Sequence, residues 1–395
     1  MKKIITIANT IIESGMSGGN RIFIEIDKRW IKKGIRFEIF TSNVGEQLCK
    51  DNELDVLYHT WHFRRHFLRF GLIFSYIISL LKGFYVVIKE YHYNENDIIY
   101  SSSDFWPDFF PALFLKMFYK NVKWIASFYL FAPYPFDKKS PYKGKNTFKG
   151  FLYWISQLPV YFIIKKYADM VFVTNEPDKL KFLGGKLSNG KVIAVHGGID
   201  MEVASLVQEP LVKNYDAVFV GRLHPQKGVI ELIEIWNIVC KKRNQSKLAI
   251  IGIGESENMM KKKIYEYKLE NNIKLLGFLD GIEKIKILKR SKIGVYPATL
   301  DHWSIAPVEL MSCGLPLATF DVPTLYFLNP SGMIRIKPYD ISAFAFAILD
   351  LLDNEERRKK LGEDALKWAK QWDWNARSEE IFAAISENLI NNEVK

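Results

Sequence analysis

The sequence predicts an α/β protein with two doubly wound, Rossmann-like parallel sheets, one in each half of the chain. Three observations carry this. The 395 residues exceed what a single hydrophobic core normally encloses. Short apolar runs alternate with amphipathic helical patterns along the whole length. A strand, glycine turn, helix unit opens at Lys3 and again at Ala217.

In the first half, Lys3–Ala8 reads as a strand. Gly18 and Gly19 follow in a loop, where paired glycines let backbone N–H groups approach a phosphate or sugar. Ile22, Phe23, Ile26 and Trp30 recur at helical spacing between Arg21 and Lys33, and Gly34 ends that helix. Phe37–Thr41 is the next strand. A helix over Ile73–Ile88, a strand at Asp97–Tyr100, a helix at Pro111–Tyr119 and a strand at Trp124–Tyr129 continue the alternation. Residues Ala132–Lys149, rich in Pro, Lys and Gly, form a long loop of the kind that carries function. Strands at Asp169–Thr174 and Lys191–Val195 close the half, which places the N-terminal domain at 1–205.

The second domain, 206–374, restarts with the strand Ala217–Val220 and the loop Gly221–Gly228. In the helix Val229–Lys241, Val229, Leu232, Ile233, Trp236 and Val239 share one face. Strands follow at Leu248–Ile251, Ile273–Leu276, Ile293–Tyr296, Leu317–Phe320 and Met333–Ile336. Ligands of such sheets bind at the carboxyl ends of the strands, here expected in a cleft between the two domains.

Composition narrows the function classes. The net charge is +11, yet no signature of DNA or RNA binding accompanies it, so nucleic acid is not an expected partner. Aromatic residues make up 14% of the chain, and several interleave with basic ones at Trp61–Phe70 and Phe148–Trp154. Two readings fit: contact with an anionic membrane surface, or a core of aromatics beneath solubilising lysines. Phe70–Ile88 is interrupted by Lys82 and two glycines, and Phe151–Ile164 is too short to cross a bilayer; each reads as a buried helix of a large domain. Cys49, Cys240 and Cys313 are far apart and odd in number, which suits a reducing compartment. The amino terminus runs straight into a strand pattern, so a secretory leader is not expected and a cytoplasmic setting is. No metal-ligand spacing occurs. Gly252-Ile-Gly254 follows a strand as in a dinucleotide fingerprint, but Glu257 stands at the third glycine position and argues against nicotinamide or flavin binding.

The most informative stretch runs from Ile293 to Asp321. Pro307 suits the first turn of a helix and Gly314 its left-handed end. Two carboxylates, Asp301 in the loop and Glu309 in the helix, are 309 − 301 = 8 positions apart. The amides of Ser304 and Ile305 at the helix start attract phosphate, while the carboxylates call for hydroxyl groups. A ligand with both is a nucleotide sugar. In the simpler alternative Asp301 caps the helix and Glu309 is an exposed helix residue.

Three motifs in order resemble the family-4 retaining glycosyltransferases of GT-B architecture: Gly18-Gly19 after the first strand; Val220 to Gly228 with Arg222 and Lys227; and Asp301 to Glu309 leading into Cys313-Gly-Leu-Pro316. The resemblance implies that Arg222 and Lys227 clamp the donor diphosphate without a metal ion or other cofactor. It implies that Glu309 accepts from ribose hydroxyls, that Asp301 faces the donor sugar with Trp303 beside it, and that amides near Ser304 and Ile305 hold phosphate. Gly18 and Gly19 would meet the donor from the first domain, and a last helix, 375–395, would pack back on that domain. Two positions depart from the pattern: Asp301 stands where the family has Glu, and Tyr129 stands where it often has His. The activity implied is transfer of a sugar from a nucleoside diphosphate sugar to a glycan or glycolipid acceptor, with retention, in cell-surface polysaccharide or glycolipid synthesis. A binding protein of the same fold without turnover is the alternative that Tyr129 favours.

Overall fold

The computed structural model describes residues 3–13, 15–137, 140, 142, 144, 147–207, 212–300, 305–322 and 331–390. They form two compact units. One holds the chain up to Gly197 and again from Asn375; the other is Gly198–Trp374. The division thus falls ahead of the 205/206 boundary drawn from sequence.

In the first unit the strands are β1 (Lys3–Ala8), β2 (Arg36–Ser42), β3 (Leu57–Trp61), β4 (Ile98–Ser101), β5 (Lys123–Ser127), β6 (Met170–Val173) and β7 (Val192–Ala194). They make one parallel sheet in the order β3-β2-β1-β4-β5-β6-β7. Its helices are α1 (Gly18–Ile31), α2 (Asn43–Asp51), α3 (Leu72–Glu90), α4 (Trp106–Phe118), α5 (Thr147–Tyr167) and α6 (Glu176–Phe182). The core strands are buried along their length, as expected of strands covered on both faces. Trp124, Phe109 and Phe128 fill the space between sheet and helices.

The second unit contains α7 (Met201–Leu206), β8 (Tyr215–Val220), α8 (Val229–Lys242), β9 (Leu248–Ile251), α9 (Glu257–Glu266), β10 (Ile273–Leu275), α10 (Gly281–Lys289), β11 (Ser291–Tyr296), α11 (Ile305–Ser312), β12 (Leu317–Phe320), β13 (Met333–Ile336), α12 (Ile341–Asp353) and α13 (Glu355–Ala369). Its parallel sheet has the order β10-β9-β8-β11-β12-β13. Trp236, Phe219 and Phe320 are fully buried in its core. The last helix, α14 (Trp374–Ile385), packs on α1 of the first unit: the Trp30 indole N–H donates to the Ser378 carbonyl at 3.0 Å, and the rings of Trp30 and Phe382 lie 5.7 Å apart.

Two expectations are corrected here. Gly18 and Gly19 are not in a loop; they are the first turn of α1, capped by the Ser17 hydroxyl, which accepts from the Asn20 N–H at 3.1 Å. A capped N-terminus begins a helix even through glycine, because the cap satisfies a donor that glycine cannot help with. Helices α3 and α5 are not buried helices: their outer faces stand in solvent. Trp61 and Phe63, by contrast, are core.

Candidate functional site

Each sheet reverses its winding once, between β1 and β4 in the first unit and between β8 and β11 in the second. Such reversals leave a crevice at the carboxyl ends of the strands, where ligands settle. In the second unit the loop after β8, which carries Arg222 and Lys227, lies against the residues that follow β11 at this reversal.

The loop after β8 is drawn tight. Gly228 has a φ of +65°, and a Cβ there would lie 1.8 Å from the carbonyl oxygen of Pro297, the residue that follows β11. Only glycine allows α8 to start this close to β11. A Cβ on Gly252 would lie 1.9 Å from the Gly221 oxygen, so the glycine pair after β9 serves loop-on-loop packing. That accounts for the glycines without a dinucleotide. Hydrogen bonds from the Leu223 N–H to the Ile253 carbonyl and from the Thr299 N–H to the Gln226 carbonyl, both 3.0 Å, tie the loops into one rigid edge.

On this edge Lys227 is half-buried, and its ammonium donates to the Tyr296 hydroxyl at 2.6 Å. Tyr296 is fully buried at the end of β11, so a core residue fixes the position of the cation. Arg222 is exposed on the same loop. His224 Nδ1 accepts from the Gln226 N–H at 3.2 Å and caps the turn. Burial, and then the Arg222 charge, hold the His224 imidazole below the usual histidine range, so it stays neutral at pH 7.

Glu309 lies on α11 with 16% of its side chain exposed. Its Oε1 accepts from the Lys284 ammonium at 2.7 Å, and Lys284 also reaches Asp280 Oδ1 at 2.8 Å. Asp280 caps the start of α10. Burial alone would push the Lys284 pKa down; the carboxylates of Glu309 and Asp280 outweigh it and hold the group above the usual lysine range. Glu309 is therefore a held carboxylate on a buried cation, not an exposed helix residue. Ile305 begins α11, Pro307 sits in its first turn, and Gly314 follows it at a φ of +70°. Asp301, Trp303 and Ser304 lie outside the described residues.

In the first unit, Gly19 and Tyr129 meet. A Cβ on Gly19 would stand 3.1 Å from Tyr129 Cδ2. The hydroxyls of Tyr129 and Tyr100 are 2.8 Å apart. Burial pushes the Tyr129 phenol up to about 12, so it keeps its proton and serves as a hydrogen-bonding group, not a base at neutral pH.

Sequence reading missed Lys284, Asp280 and two buried carboxylates at the β1–β4 reversal. Asp108 accepts from the Thr10 N–H at 3.1 Å, the Thr10 hydroxyl at 2.8 Å and the Ser102 hydroxyl at 3.1 Å. Asp104 accepts from the Gln157 amide at 2.8 Å. Burial pushes both up to about 6. The i, i+4 spacing of Asp280 and Lys284 was a readable signal; the pairing of Lys284 with Glu309 was not. Among the described residues no group of three or more His, Cys, Asp or Glu side chains could hold a metal ion.

Residues 176–368 match the family described as glycosyl transferases group 1. A stretch of 164 residues, 40% of this chain, is 27% identical to the poly(glycerol-phosphate) alpha-glucosyltransferase of Bacillus subtilis. Another of 266 residues, 63% of the chain, is 24% identical to the capsular polysaccharide biosynthesis glycosyltransferase CapM of Staphylococcus aureus. These matches span 24% and 68% of the relatives' own lengths. Among solved structures, an S. aureus TarM mutant in complex with fondaparinux, alpha-GlcNAc-glycerol and UDP superposes with a TM-score of 0.71 at 15% identity, covering 97% of this chain and 99% of that one. The fold is the two-domain, Rossmann-like GT-B fold.

Proposed function

We propose that this chain is a glycosyltransferase that moves a sugar from a nucleoside diphosphate sugar to a glycan or lipid-linked glycan acceptor, with retention at the anomeric carbon. The observation that carries the reading is Lys227, fixed at the β8–β11 reversal by its bond to Tyr296, within the segment that matches glycosyl transferases group 1.

In this reading Arg222 and Lys227 bind the donor diphosphate and take up the charge that builds on it as the sugar departs. The reaction then invokes no metal ion. Glu309, already oriented by Lys284, accepts from ribose hydroxyls with its remaining lone pairs. Asp301 and Trp303 face the donor sugar, and amides at Ser304 and Ile305 hold phosphate. Gly18 and Gly19, of which Gly19 lies against Tyr129, would contact the donor from the first unit. Because Tyr129 keeps its proton, the departing phosphate oxygen takes the proton of the acceptor hydroxyl on the same face, as the acceptor oxygen bonds to the anomeric carbon and the bond from that carbon to the diphosphate breaks. The capsule and poly(glycerol-phosphate) relatives support an acceptor in cell-surface polysaccharide synthesis. The cytoplasmic setting fits three separate thiols, Cys49 and Cys313 buried and Cys240 partly so.

Incubation with a panel of nucleoside diphosphate sugars and glycan acceptors, with the product anomer read by NMR, tests the reading. A retained anomer supports it, and an inverted one refutes retention. The high pKa of Tyr129 keeps a second reading, a nucleotide-sugar binding protein without turnover, in view. Donor binding with no product on any acceptor would select that second reading.

A further inference from the structure

Helices α3, α4 and α5 form one packed layer on the first unit. Phe84 of α3 meets Phe114 of α4 with ring centres 5.4 Å apart, and the Trp106 indole of α4 donates to the Ser156 carbonyl of α5 at 3.2 Å. The outer face of this layer is apolar where solvent would favour charge. On α3, Ile73, Ile77, Leu81 and Tyr85 are 66%, 46%, 61% and 63% exposed, and they follow one another at four-residue steps. That spacing makes a single stripe along the helix. On α5, Ile155 and Phe162 face outward as well.

The charges on these helices are predominantly of one sign. Helices α3 and α5 carry Lys82, Lys89, Lys149, Lys165 and Lys166 against one carboxylate, Glu90, at the last position of α3. Lys82 lies 5.3 Å from the Phe67 ring centre and Lys89 5.9 Å from that of Tyr85, so both ammonium groups border the apolar surface. Among the described residues no helix is long and apolar enough to cross a membrane.

We propose that the outer face of α3 and α5 rests on an anionic lipid bilayer, with the apolar stripes in the interfacial zone and the lysines at headgroup phosphates. Exposed apolar stretches of this kind are uncommon on proteins that stay in water. Apolar area and basic rim together are the signature of an interfacial element. A second copy of the chain is the poorer occupant, because a two-fold contact would set lysines against lysines. The proposal rests on this face alone and does not depend on the transfer reaction.

Flotation of the full chain with phosphatidylcholine vesicles, with and without phosphatidylglycerol, tests it. The expected result is co-flotation only when phosphatidylglycerol is present. Ile77→Glu/Leu81→Glu should lower the bound fraction by about tenfold or more, and so should Lys89→Gln/Lys166→Gln, which leaves the apolar stripe intact. Tyr265→Glu, on α9 of the second unit, should bind as the unaltered chain does. Circular dichroism verifies the fold of each variant. No flotation, equal flotation on both vesicles, or folded variants that bind normally would overturn the proposal. So would a dimer in sedimentation equilibrium that Ile77→Glu/Leu81→Glu dissociates, since the face would then be an interface between copies.

Discussion

The Lys284 ammonium lies 2.7 Å from Glu309 Oε1, and this contact joins α10 to α11 in the second unit. Lys284 is 7% exposed, so removing it strands a carboxylate that is largely shielded from water. Lys284→Met should lower stability by about 3 kcal/mol in urea unfolding. Glu309→Gln should cost less, because Asp280 still pairs the lysine. The double variant should recover part of the loss. If Lys284→Met unfolds at the wild-type midpoint, the ion pair is incidental.

Arg222→Ala and Lys227→Ala should each weaken binding of a nucleoside diphosphate by about 1.5–3 kcal/mol, the range for a hydrogen bond to a charged group. Tyr296→Phe should weaken it less, since it removes one hydrogen bond of the Lys227 ammonium and leaves the charge in place. Calorimetry that finds both alanine variants unchanged removes the clamp from the account.

Tyr129 should not set the pH dependence of transfer. With its phenol pushed up to about 12, it stays protonated throughout the working range. Wild type and Tyr129→Phe should show pH–rate profiles of the same shape between roughly pH 6 and 9. Loss of the hydrogen bond to Tyr100 should cost about 1 kcal/mol of stability. A limb present in one profile and absent from the other would make Tyr129 a proton-transfer group.

Asp104 and Asp108 predict a pH dependence of stability. Their folded-state values, about 6, lie above the ordinary aspartate value of 3.8. The folded chain thus binds more protons than the unfolded chain between these two values. Their contribution is fully present below the lower value and is lost as pH rises through the upper one. Stability of the first unit should increase on going from pH 7 to pH 5, by about 1.3 kcal/mol for each group. Asp104→Asn should remove part of that increase in urea unfolding monitored at both pH values. An unchanged slope would place these carboxylates in contact with solvent.

Both sheets were largely legible in sequence because buried parallel strands are short apolar runs and the helices between them keep a helical period; the edge strand β3 was not read, because its residues are mostly part-exposed and mix polar with apolar side chains. The β8 loop was legible for the same reason: Gly228 and Lys227 sit between a clear strand and a clear helix. The first turn of α1 was misread, since two adjacent glycines carry low helix propensity and the Ser17 cap that starts the helix is weak as a pattern. The Lys284–Glu309 pair was invisible because its partners are 25 residues apart on different helices. The exposed faces of α3 and α5 were read as core because hydropathy reports how apolar a helix is and not what covers it. The partly buried phenol of Tyr129 and its contact with Gly19 could only come from the fold.

The second unit is expected to hold a nucleoside diphosphate through its β8 loop and Glu309. The most direct test is calorimetric titration of nucleoside diphosphates, UDP first, into the wild-type chain, Glu309→Gln and Asp301→Asn. Saturable binding to wild type is expected, with about tenfold weaker binding to Glu309→Gln, a change of about 1.4 kcal/mol, and nearly unchanged binding to Asp301→Asn, whose effect should fall on turnover. Absence of saturable binding for every base, or equal affinity of wild type and Glu309→Gln, would contradict it.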